Sequence, residues 1–153
     1  MSTSSGSRSS SPDLPRPAPV RSGNDALRVL LLAVPPPLEA ETLAFFLDDD
    51  GVGGVITAVS GTTAPDSVFT VAECLCRAAE GLPTATSLVI GSVRPGGGLH
   101  PGDGQRWPEL CRLAAEHGVH LIEWFVIGAN GVYLPRELVH EPDRWSPLSR
   151  PRP

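Results

Sequence analysis

The residues with the chemistry of a site fall in one stretch, SVRPGGGLHPGDGQ, running from Ser92 to Gln105. It sets Arg94 beside Gly96, Gly97 and Gly98, and His100 three positions before Asp103. A guanidinium next to consecutive glycine N–H groups suits an anion such as phosphate. An imidazole and a carboxylate in one loop suit a metal ion. The plainer alternatives are a flexible loop for the glycines and a local turn hydrogen bond for His100 and Asp103. His117 and His120 straddle Gly118, a helix stop, where a capping or surface role outweighs a ligand pair. Cys74, Cys76 and Cys111 are three in number and lack C-x-x-C spacing, so they read as buried thiols, not as a disulfide framework or structural zinc site.

Other chemistry is missing. There is no lysine in the chain, hence no P-loop lysine, and no G-x-S-x-G, H-E-x-x-H or EF-hand pattern occurs. The net charge of −5 and the scattered arginines argue against a nucleic-acid partner recognised by charge. The longest apolar stretch, Val29 to Leu38, is broken by Pro35, Pro36 and Pro37, far short of the ~18 residues of a membrane span. With no readable secretory signal, the expected compartment is the cytoplasm.

These residues need a scaffold, and the 153-residue chain is long enough for one domain. Residues 1–24 are rich in Ser, Pro and Arg and are expected to form a disordered arm. Residues 141–153 have the same character, save for Trp145, and are expected to be a flexible tail. The domain is expected over 25–140. RVLLLAV, from Arg28 to Val34, is a buried strand or a helix stub, a choice that periodicity leaves open. TLAFFLD, from Thr42 to Asp48, and GVITAVSG, from Gly54 to Gly61, predict a hairpin. A helix follows from Ser67 or Thr70, with Val71, Leu75, Ala78 and Ala79 on its inner face. SLVIGSV, from Ser87 to Val93, reads as a strand covered on both faces. The glycine-rich loop after it is expected to hold no regular element. A second helix is expected near Pro108, with proline in its first turn. HLIEWFVIG, the ANG turn and VYLPREL predict a closing hairpin over 120–138. The expected fold class is α/β or α+β, a mixed central sheet with flanking helices. A loop that leaves a buried strand and enters a helix is the usual address for a ligand in such folds.

The loop resembles the signature of RadC-like members of the JAB/MPN (JAMM) metalloprotease superfamily, H-N-H-P-S-G-D-P-T-P-S-x-x-D. Laid on that pattern without a gap, Pro95, Gly97 and Pro101 match its first proline, its glycine and its last proline. Leu47 and Asp48, the SGT at Ser60 to Thr62 and VIGANGVYLPREL are similar to other family segments in the same order, over about residues 40–138. The resemblance implies the JAB/MPN, cytidine-deaminase-like architecture. Zinc is the family's cofactor, and a name association with DNA repair comes with the family.

The same alignment removes the catalyst. The family's two zinc histidines fall on Ser92 and Arg94, its serine on Gly102 and its zinc aspartate on Gln105. A catalytic zinc needs about three protein ligands and a water. Arg94 would put a fixed positive charge where the dication sits. Glu39, Glu41 and Glu73 are candidates by order for the family's general base, and Glu123 and Trp124 stand where the family has Asp and His. The resemblance therefore implies a pseudoenzyme without cofactor that acts as an interaction module for a protein partner. The alternative is a zinc hydrolase with a site rebuilt around His100 and Asp103. The sequence names no partner and no oligomeric state.

Overall fold

A computed structural model describes residues 18–145; of the arm expected over 1–24 and the tail expected over 141–153, residues 1–17 and 146–153 lie outside it. The first element is a helix, α1 (Gly23–Leu32). Its cap is local: the Ser22 hydroxyl accepts the N–H of Asp25 at 3.1 Å. Ala26 and Leu30, one turn apart, face inward and are fully buried. The choice left open at 28–34 is thus decided for helix. Its start, together with the buried Val20, whose N–H reaches the Gly51 carbonyl at 2.8 Å, places residues 18–24 on the domain and not in an arm.

Next come β1 (Glu41–Leu47) and β2 (Thr57–Ser60), the antiparallel hairpin that the alternating pattern predicts. Helix α2 (Ser67–Ala78) buries Val68, Val71, Ala72 and Cys76. Val71 and Ala79 face inward as expected, but Ala78 is exposed and Leu75 only partly covered, because the small Ala72 and Cys76 are pressed into the core beside them. Strand β3 (Ser87–Arg94) is covered on both faces, as its unbroken apolar run requires.

Helix α3 (Asp103–Glu116) begins inside the glycine-rich loop, earlier than expected. Pro108 consequently lies within the helix and deprives the Gly104 carbonyl of its donor. The buried carboxylate of Asp103 fixes this earlier start. Strand β4 (His120–Gly128) runs parallel to β3 and turns into β5 (Gly131–Tyr133). The closing hairpin forms, but the strand expected to Leu138 stops at Tyr133, and Pro135–Val139 is a 3-10 turn. Pro135 supplies no ladder donor, and Arg136 turns inward.

The five strands are ordered β2-β1-β3-β4-β5, a mixed sheet with helices on both faces. One core joins the sheet to α2 and α3 through Leu88, Ile90, Trp107, Leu110 and Trp124. The other joins it to α1 through Leu30, Phe45, Val89, Phe125 and Ile127. The α+β class expected from the sequence is the one observed. The crossover from β3 through α3 to β4 delivers Ser92, Arg94 and Asp103 to one end of the sheet.

Candidate functional site

Ser92 and Arg94 occupy the last positions of β3. The Ser92 side chain is buried and its hydroxyl accepts the indole N–H of Trp124 at 2.9 Å. Thr42 opposes Ser92 in the ladder and exchanges a 2.8 Å hydrogen bond with Thr62. Arg94 reaches forward over the Trp124 ring, its guanidinium carbon 5.8 Å from the centroid. It donates to Asp103 at 2.7 Å and to the Gly98 carbonyl at 3.1 Å.

Asp103 is the hub. Its side chain has no exposure, yet it accepts from Arg94, from the His100 backbone N–H at 2.7 Å and from Arg106 at 3.1 Å. Arg106 continues to Asp66 at 2.9 Å and to the Pro101 carbonyl at 2.9 Å. Two guanidiniums therefore face two carboxylates, and the cluster is electrically balanced. Burial pushes the Asp103 carboxyl up, but the bonds from Arg94, His100 and Arg106 outweigh it and hold the group below its ordinary value of 3.8. The carboxylate form is the one on which the loop is built. Gly102, with φ +90°, makes the sharp entry into α3 and leaves room for the Arg106 guanidinium.

Of the glycines before it, Gly98 packs closely. A side chain at Gly128 would strike the Gly97 carbonyl, and one at Gly98 would approach the Tyr133 ring to 2.7 Å. The Gly97 N–H closes a turn on the Arg94 carbonyl at 3.2 Å. The turn thus lies against the β4–β5 hairpin through the Gly97 carbonyl and Gly98, while Gly96 and Gly97 are exposed with open space where a side chain would stand.

Ser92, Arg94, Asp103 and the His100 backbone come together, whereas Gln105 is exposed on α3. His117 pairs with Glu80 at 2.6 Å, away from the loop. Glu39 is exposed, Glu41 lies in register with Val93, and Glu73 pairs with Arg77 on the outer face of α2. Among the described residues no group of three His, Cys, Asp or Glu is placed to hold a metal. The residues at the end of β3 do not fit zinc: the Ser92 hydroxyl is engaged by an indole, and a permanent cation sits on the nearest carboxylate.

Against known proteins, the chain matches no family model and no curated sequence. The functional argument therefore rests on the residues.

A second buried ion pair escaped the sequence reading. The β3–β4 register shifts between Leu88 and Val89, which face Leu121 and Glu123, so Ile122 is an extra residue in β4. Beyond this bulge Glu123 is buried against Arg136, with contacts of 3.2 to 3.3 Å. Here burial raises the Glu123 carboxyl above its ordinary value, and Arg136 only partly offsets the rise. The pair lies in a shallow cleft with Leu27, Phe125, Asp143 and Trp145. Nearby, Trp107 donates to Glu141 at 2.9 Å and carries Arg144 on its ring at 4.9 Å, which straps residues 141–145 onto the domain. Cys76 and Cys111 are pushed up to about 11 by burial, as inert thiols should be. Among the described residues no helix is long and apolar enough to cross a membrane.

Proposed function

We propose that this chain is a RadC-like JAB/MPN-type scaffold without zinc or catalysis, which works as an interaction module. What carries the reading is the Arg94–Asp103 ion pair: at the end of the central strand a guanidinium holds the only fully buried carboxylate of the loop. That arrangement supplies positive charge to the acid without a metal and offers no open position for a reacting water. The Ser92–Trp124 hydrogen bond beside it uses the two positions that the resemblance assigns to a zinc histidine and the downstream histidine. With both pairs closed on themselves, this end of the sheet acts as a rigid support. Free cysteines, one of them exposed, suit a reducing cytoplasm.

Isothermal titration with zinc tests the proposal. The native chain is expected to show no stoichiometric binding. Replacing Ser92→His and Arg94→His together, which sets two imidazoles beside the Asp103 carboxylate, should create measurable uptake. One-to-one binding by the native chain, abolished by His100→Ala, would overturn the reading in favour of a hydrolase built around His100 and Asp103.

A further inference from the structure

The strap over residues 141–145 sits on the domain as a bound peptide would. Glu141 and Arg144, three positions apart, reach the same place on it. The Glu141 carboxylate accepts the Trp107 indole N–H at 2.9 Å, and the Glu141 backbone carbonyl accepts from Arg136 at 2.7 Å. Arg144 lies on the Trp107 ring and donates to the Leu121 carbonyl at 3.0 Å and to the Glu141 carboxylate at 3.1 Å. The domain thus offers a seat of defined chemistry: an indole donor, a guanidinium donor, a backbone acceptor beside the β4 bulge and an aromatic face. Tryptophan and arginine are the side chains on which binding energy concentrates at protein interfaces.

The strap fills this seat imperfectly. At its end the Trp145 indole N–H is buried with no hydrogen-bond partner among the described residues, a costly arrangement. In its middle Asp143 shares a cleft with Glu123. Burial pushes the Glu123 carboxyl up, and the like charge of Asp143 adds to that push. Both defects lie on the strap, so a partner segment free of them gains over it. We propose that residues 141–145 are a built-in ligand, and that the seat beneath them docks a partner segment with the same chemistry, a carboxylate and a guanidinium three residues apart. The strap blocks the seat until the partner displaces it. This inference rests on the interaction-module reading, but its test is independent of zinc: a seat that takes no peptide leaves the metal-free loop as it stands.

The chain's own sequence supplies the probe. A fluorescein-labelled peptide of residues 139–147 should bind saturably, by anisotropy, to the full chain carrying Arg144→Glu, whose strap has lost its hold. Binding to the native chain should be weaker by about tenfold or more, because the strap competes from a high effective concentration. The same peptide with Glu141→Gln and Arg144→Glu should not bind. In the native chain the Trp107 indole N–H should exchange through local opening of the strap, much faster than that of Trp124, which Ser92 holds inside the core. No saturable binding to the folded Arg144→Glu chain overturns the proposal, as does a doubly altered peptide that binds as well as the original. Equal exchange of the two indoles, limited by global unfolding, overturns it too, and this comparison decides where the variant does not fold. A native dimer that Arg144→Glu dissociates in sedimentation would assign the seat to the strap of a second copy, against a separate partner.

Discussion

Two buried arginine–carboxylate pairs, Arg94–Asp103 after β3 and Arg136–Glu123 beside the bulge of β4, look alike in composition and behave oppositely. Both carboxylates are withdrawn from water, and burial alone would raise each. Asp103 gathers two arginines and a backbone N–H, the closest at 2.7 Å, and ends below its ordinary value. Glu123 has one arginine at 3.2 Å or more and ends above it. The number and closeness of donors decide whether pairing overcomes desolvation. The first pair consequently fixes a loop in its charged form, while the second is held charged only against the cost of burial.

That contrast can be broken by substitution. The largest effect is expected from Asp103→Asn, which leaves Arg94 and Arg106 facing a neutral group in a buried site; a loss of about 3–5 kcal/mol in denaturant unfolding is expected. Glu123→Gln should cost less, about 1–3 kcal/mol, since Arg136 keeps its 2.7 Å bond to the Glu141 carbonyl. If the two losses were equal, donor number would not be the controlling variable.

Acid titration sharpens the comparison because the two groups have opposite signs. Asp103 binds its proton less readily folded than unfolded, so its stabilisation is full above 3.8 and is lost as pH falls from there through its folded value. Glu123 binds its proton more readily folded, so its contribution rises as pH falls from its folded value toward 4.5. Melting curves should therefore show Glu123→Gln removing a gain in stability on mild acidification, while Asp103→Asn flattens the loss at lower pH. The smallest expected effect is that of Ser92→Ala, which removes the acceptor of the Trp124 indole N–H without emptying the core and should cost about 1 kcal/mol in the same unfolding assay.

The elements that were legible from sequence are those whose signal is local. The apolar run of β3, the alternation in the β1–β2 hairpin and the turn after Gly128 each carry their own pattern. Helix α1 was ambiguous because RVLLLAV holds only its second half, and the cap at Ser22 lay inside the stretch 1–24 that its Ser and Pro content marked as an arm. The roles within the loop were hidden. Asp103 has no local mark of a hub until Arg94 and Arg106 converge on it across the turn. Glu123 and Arg136 were invisible as a pair, since neither the bulge that aims one nor the 3-10 turn that aims the other is written in a periodic pattern.

In the function proposed above, a guanidinium stands in for a metal at the end of β3. Elemental analysis of the full chain purified without chelator, with melting followed before and after EDTA, tests it most directly. Far less than one zinc per chain and an unchanged melting temperature are expected; one zinc per chain, whose removal lowers the melting temperature, would contradict the account.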